Sequence, residues 1–208
     1  MRTLTKEIQQ QLTPDEALRV LMKGNQRFMQ NLKANRNLLQ QVNDTAEGQY
    51  PFAVILSCID SRTSAELIFD QGLGDIFSIR IAGNVLNDDI IGSIEFATKI
   101  VGTKIVVILG HTKCGAVTGA CNHVELGKLT GLLKKIKPAI DGETATRSDR
   151  TGANPAFVQN VTENHVNLVI ADLRRQSPII KDLEQQKKIK VLGGIYDVES
   201  GEVVILPD

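Results

Sequence analysis

Apolar runs alternate with polar, turn-rich stretches along most of this chain, and the spacing within each run predicts its element. Thr13-Pro14-Asp15-Glu16 has the signature of a helix start: a hydroxyl cap, a proline in the first turn, and Glu16 three residues after Thr13 to complete a capping box. Leu18, Leu21, Asn25, Phe28 and Leu32 follow at helical spacing as one mostly apolar stripe, so an N-terminal helical arm should pack on the body or on a neighbouring subunit. Three short runs rich in β-branched residues come next: Phe52 to Ser57, Ile76 to Ile81 and Lys104 to Leu109. They are too continuous for strands with one wet face and predict buried parallel strands. Ser64 to Gln71 and Asp89 to Val101, between them, have helical periodicity, and the alternation predicts an open sheet with right-handed crossovers.

Further helices are predicted over Leu129 to Ile140, Pro155 to Gln176 and Ile179 to Gln186, with the polar segment Asp141 to Asn154 as a surface loop. Ile189 to Tyr196 and Glu202 to Leu206 flank Asp197-Val198-Glu199-Ser200-Gly201, a strand, turn and strand pattern whose Gly201 suits a positive backbone dihedral. The expected fold class is α/β: a central, mostly parallel sheet flanked by helices, preceded by the helical arm. No repeat or linker divides the chain, which predicts one domain, with residues 1–47 as the arm and 48–208 as the α/β core.

Composition narrows the partners. Lys plus Arg equals Asp plus Glu, 24 of each, without a run of five like charges, so an electrostatic footprint for nucleic acid or a membrane surface is missing and a small-molecule substrate is expected. Met1 to Gln11 is polar and Gln-rich, too polar for a secretory signal or a membrane span, which predicts a cytoplasmic protein. Three cysteines cannot all pair with one another, and a reducing compartment turns them toward metal, catalysis or core packing.

Their positions choose among those uses. Cys58-Ile59-Asp60-Ser61-Arg62 follows the first predicted strand, and Gly110-His111-Thr112-Lys113-Cys114-Gly115 follows the third. Carboxyl ends of parallel strands border the ligand crevice of an open α/β sheet, so the two clusters can converge despite their distance in sequence. Two thiolates, an imidazole and a carboxylate form a donor set that zinc takes tetrahedrally, with a place left vacant if only three of them bind. Taken singly, each cysteine could be a small core residue and His111 a structural histidine. A Cys–His nucleophile pair would leave the second cysteine and Asp60 unexplained. Cys121, after Gly119 and Ala120, has no partner at ligand spacing beyond Cys114 and is expected to pack in a helix; His123 and His165 default to structural or surface roles, with proton relay as the alternative. Gly72-Leu73-Gly74 lacks the third glycine of a dinucleotide fingerprint and follows a predicted helix, which argues against a Rossmann cofactor.

At these residues the sequence resembles the β-class carbonic anhydrases, whose marks are Cys-x-Asp-x-Arg and, farther on, His-x-x-Cys. Gly74 to Arg80, Ala82-Gly83-Asn84, Gly92 to Phe96 and Leu109-Gly110-His111 look like family segments in family order. The resemblance implies that Cys58, His111 and Cys114 are zinc ligands, with Asp60 and Arg62 as a catalytic dyad beside the metal. Asp60 would be held by Arg62 in an open form and would become the fourth zinc ligand in a closed one. It also implies substrate-binding roles for Gln49, whose amide would hold substrate or bicarbonate, for Phe77, Ala82 and Phe96, which would line an apolar pocket, and for the backbone N–H of Gly115. Ile59 and Ile81 stand where plant-like members have polar residues, and Ala82 where they have valine, which alters the expected pocket. The implied activity is reversible hydration of carbon dioxide to bicarbonate and a proton by zinc-bound hydroxide, in a homodimer or homotetramer with the site near the subunit interface. Hydrolysis of carbonyl sulfide or carbon disulfide at the same zinc, or a non-catalytic zinc- or bicarbonate-binding regulator, are the alternatives.

Overall fold

The computed structural model describes residues 3–207; the first two residues of the expected arm and the last of the core lie outside them. Helices α1 (Lys6–Gln11), α2 (Pro14–Met29) and α3 (Leu38–Thr45) precede strand β1 (Ala53–Ser57). There follow α4 (Ala65–Ile68), β2 (Ile76–Arg80), α5 (Asp88–Glu95) and β3 (Ile105–His111), then α6 (Gly115–Cys121), α7 (Gly127–Leu133) and α8 (Lys137–Gly142). Helices α9 (Pro155–Gln176) and α10 (Pro178–Gln185) lead into the hairpin of β4 (Lys190–Tyr196) and β5 (Val203–Ile205).

The strands form one sheet in the order β2-β1-β3-β4-β5, parallel except for β5, which pairs antiparallel with β4. Alternate residues of each strand supply opposite faces, as the pleat requires. Val54, Leu56, Val106 and Ile108 pack against α5, α9 and α10, whereas Ala53, Ile55, Ile105 and Val107 pack against Ala17 and Leu21 of α2 and Ile68 of α4. Both faces of the central strands are therefore dry, which explains their unbroken apolar runs.

The arm is fastened by polar groups as well as by its stripe. The capping box forms, with Glu16 accepting from the Thr13 N–H at 2.9 Å. Gly24 lets α2 approach α4 so closely that a Cβ there would lie 1.7 Å from the Phe69 carbonyl oxygen. Asn25, buried in the stripe, donates to the Ile68 and Gly201 carbonyls and accepts from the Val203 N–H at 2.9 Å. Asp70 accepts from Arg27 and Arg36, each at 2.5 Å, and from the Ala34 N–H at 3.1 Å.

Several sequence expectations need correction. Leu32 lies beyond the end of α2 and is exposed. The helix expected over Leu129 to Ile140 is broken into α7 and α8, because Pro138 has no N–H to continue the ladder and its ring crowds the preceding turn. The helix expected from Asp89 to Val101 finishes as a wide π turn over Phe96–Val101, closed by Gly102 at φ 93°. The segment expected between Ser64 and Gln71 keeps only four helical residues. Helices α1 and α3 were not predicted, since their buried residues are the polar Gln9 and Gln41. The segment after α8 is more than a surface loop: Glu143 is buried and accepts from Arg150, Thr146 and Asn160.

Candidate metal centre

Two neighbouring central strands end at one point of the molecule. The chain leaves β1 toward β2 on one side and continues from β3 toward β4 on the other, so the β1/β3 boundary is the topological switch point where an open sheet forms a crevice. Cys58 is the first residue past β1, and His111 ends β3, which runs two residues farther than the sequence run suggested. Cys114 caps α6. The two sulfurs and a His111 ring nitrogen all lie within 4.8 Å of one another, and all three residues are buried. They sit against an apolar cluster that includes Val85, Val117, Ile136 and Phe157.

The polar atoms of this cluster are arranged for a cation. His111 Nδ1–H donates to the Thr112 carbonyl at 2.9 Å, so the other nitrogen carries a lone pair. That atom, Nε2, is buried without a hydrogen-bond partner. Cys58 Sγ accepts from the Gly83 N–H at 3.3 Å. The neighbouring Cys114 thiol, together with nearby His111 and the N–H groups of Gly83 and Asp60, pulls Cys58 far below the usual thiol range in spite of burial. Cys114 is pushed up by the same neighbour and by its own burial. The pair therefore releases one proton readily and holds the second until a positive charge arrives, as a thiolate pair awaiting a divalent metal should.

Asp60 stands beside the cluster without joining it. Its Oδ1 accepts from the Arg62 Nε at 2.9 Å and from the Arg62 N–H at 3.0 Å, and its Oδ2 accepts from Arg62 NH2 at 2.8 Å. Oδ2 lies 4.0 Å from His111 Nε2. The Arg62 guanidinium holds the Asp60 carboxyl well below the ordinary carboxylate range, overcoming a partial desolvation. This planar, two-toothed grip aims one carboxylate oxygen at the cluster. The loop is itself braced: Thr63 Oγ1 donates to the Cys58 and Asp60 carbonyls, each at 2.9 Å, and Arg80 donates to the same carbonyls at 3.1 and 2.6 Å.

A model of the carbonic anhydrase family matches residues 53–203, which contain every residue of this cluster and its bracing groups. Carbonic anhydrase 2 of Mycobacterium tuberculosis is 34% identical over 200 residues, covering 92% of each chain. Among solved structures, the β-carbonic anhydrase CafA of Aspergillus fumigatus superimposes with a TM-score of 0.70 at 30% identity, covering 81% of each chain. The chain belongs to the β-class carbonic anhydrases. It is thus an enzyme of the carbonic anhydrase family, in an α/β fold shared with more distant members such as the Coccomyxa β-carbonic anhydrase, at a TM-score of 0.71 and 21% identity.

Other residues singled out from the sequence are more dispersed in this carbonic anhydrase. Ala82 opens the tight turn Ala82–Asn84 next to Gly83, and Gly115 is exposed at the start of α6 directly after Cys114. Phe77 and Phe96 do meet, with ring centroids 6.3 Å apart. Their cavity of about 550 Å³ is shared with Ile79, Asp88 and Asp89 and with none of the Cys–His–Cys residues, and Phe96 is half exposed. Gln49 is exposed in the stretch before β1. Cys121 is buried at the end of α6, where burial pushes its thiol up to about 11, and His123 is exposed after that helix. His165 is not a surface residue: it is buried and donates through Nε2 to the Gly83 carbonyl at 2.8 Å. Thr63, Arg80, Gly83 and His165 were not assigned to the site from the sequence. Thr63 carried a local signal, a hydroxyl a few residues after Cys58 and Asp60, whereas the others act through backbone groups of remote segments.

Proposed function

We propose that this chain catalyses the reversible hydration of carbon dioxide to bicarbonate and a proton, with zinc held by Cys58 Sγ, His111 Nε2 and Cys114 Sγ. One observation carries the reading: three soft or borderline donors converge in a dry pocket, the imidazole nitrogen among them has no other partner, and Asp60 is kept off by Arg62. Three protein ligands leave a fourth position, the distinction between catalytic and structural zinc. Bound there, zinc supplies a Lewis acid that lowers the pKa of water toward neutrality, a general property of catalytic zinc and of carbonic anhydrases in particular.

The protein's own groups do the rest. Asp60 Oδ2 accepts the hydrogen of the attacking water and so turns its lone pair toward the carbon dioxide carbon. Arg62 fixes that carboxylate and keeps it ionised, and the apolar residues behind Cys114 exclude bulk water from the ligand side of the cluster. The water oxygen bonds to carbon, a carbon–oxygen π bond opens onto the oxygen, and the proton leaves to solvent. Gln49, Phe77 and Phe96 serve as substrate-pocket residues across the interface of a homodimer or larger homo-oligomer. This assignment is supported by the exposure of Phe96 and by the cavity that Phe77 and Phe96 line without any residue of the Cys–His–Cys cluster. Ala82 and Gly115 flank the cluster in the same chain. No helix of the described residues is long and apolar enough to cross a membrane.

Cys58→Ser and His111→Ala test the reading. Purified protein should contain about one zinc per chain and hydrate carbon dioxide, and each variant should lose both. Full hydration by metal-free protein would refute it.

A further inference from the structure

The Cys58 sulfur leans on a turn that is conformationally expensive. Gly83 has φ 63° and Asn84 φ 41°, two successive residues in the left-handed region, the second of them not glycine. A Cβ at residue 83 would also lie 2.9 Å from Ile136 Cδ1 and 3.2 Å from Ala116 Cβ. Such a turn persists only where its surroundings enforce it. Its own hydrogen bond, Asn84 N–H to the Ile81 carbonyl at 2.9 Å, closes one side. The other side is closed from α9, where His165 Nε2–H reaches the Gly83 carbonyl. A carbonyl only accepts, so this bond requires the proton on Nε2. Burial lowers the His165 pKa and favours the neutral ring that such a fixed tautomer needs.

We infer that His165 is a positioning residue of the metal centre: by gripping the Gly83 carbonyl, it holds the Gly83 N–H against the Cys58 sulfur and so fixes the direction of that sulfur's lone pairs. The inference rests on the reading of Cys58 as a metal ligand. A backbone N–H on a ligating sulfur withdraws charge from it and restricts its rotation, as groups supporting metal ligands generally do. His165 achieves this from 82 residues away, through a carbonyl rather than through the sulfur itself. His165 also lines a cavity of about 600 Å³ with Lys135, Asp172 and Arg175, which none of the Cys–His–Cys residues lines.

The test compares wild type, His165→Leu and His165→Gln as full-length, folded protein. Zinc affinity is read by chelator competition, and the sulfur-to-metal charge-transfer band is read after cobalt substitution. His165→Leu should weaken zinc binding about 10- to 100-fold, the range typical of lost ligand support, and shift the cobalt band. His165→Gln, whose amide N–H can reach the same carbonyl, should restore both. A Leu variant with wild-type affinity and spectrum overturns the inference, as does a Gln variant as impaired as Leu. Should the Leu variant not fold, the wild-type ring decides: nitrogen NMR must find the Nε2–H tautomer, and the Nδ1–H form overturns the proposal. Wild-type protein that binds no zinc would sink the metal reading itself, a separate result from equal binding by wild type and the Leu variant.

Discussion

Asp60 and Arg62 stand two residues apart, and their pairing decides what else Asp60 can do. With both carboxylate oxygens engaged by one guanidinium, Asp60 stays charged and stays out of the ligand set. Its pKa is depressed, so the carboxylate remains ionised throughout the neutral range and protonates only in strong acid. Any loss of hydration rate as pH falls from roughly 8 to 6 therefore belongs to another group. Asp60→Asn should keep its zinc and lower the hydration rate about 10- to 100-fold, and the pH dependence should persist in the variant. A variant whose rate no longer depends on pH in stopped-flow assays would assign the titration to Asp60 and contradict this account. The Cys58, His111 and Cys114 cluster was legible in the sequence because metal chemistry restricts residue type and strand ends restrict position. Gly83 and His165 were not, because a bond to a backbone carbonyl asks nothing distinctive of either side chain's neighbours.

Among the elements, α2 and the segment after it are pinned to the body through Asp70. The carboxylate is buried, which by itself would raise its pKa, yet Arg27, Arg36 and the Ala34 N–H more than compensate and lower it. A depressed folded-state pKa means stability that is present above the unfolded carboxylate value, about 3.9, and lost as pH falls through the lower folded value. Asp70→Asn should destabilise the protein by about 3 kcal/mol near neutrality, the scale for breaking a buried ion pair, and the gap from wild type should close in acid. Urea unfolding at neutral pH and at about pH 3 measures both values. A gap that persists in acid would remove the ion pair from the explanation. At this scale the central strands and α9 follow their sequence pattern, β2 is an edge strand only partly buried where a buried one was expected, and α1, α3, α7 and α8 depart from the pattern. Buried strands and a long amphipathic helix broadcast their period, and Pro155 marks the start of α9. Helices α1 and α3 bury one glutamine each, so their pattern is set by single side-chain bonds such as Gln9 Nε2 to the Pro51 carbonyl at 2.7 Å. Across α7 and α8 the apolar period runs on through a break made by one proline.

For the whole molecule, the sheet order places β1 and β3, the two strands that lead into the Cys–His–Cys cluster, side by side, while large apolar side chains remain uncovered elsewhere. Leu38, Leu39 and Val42 of α3, and Phe96 and Ile100 of the π turn, are all more than 45% exposed, an unusual cost for large apolar side chains. The proposed homo-oligomer covers them. Sedimentation should find wild type as a dimer or larger, and Leu39→Glu combined with Ile100→Glu should shift it toward monomer with loss of hydration but retention of zinc. A wild-type monomer with full activity would contradict the shared pocket. The β4–β5 turn carries one more implication: Val198 N–H donates to Thr112 Oγ1, Lys113 pairs with Glu199 at 2.6 Å, and Asn25 grips Gly201 and Val203 from the far side. The loop between His111 and Cys114 thus leans on Val198 and Glu199, which the ribosome adds more than eighty positions after Cys114. During synthesis the three side chains of the cluster emerge long before their scaffold is complete, so the geometry of the site belongs to the finished chain and not to the nascent one.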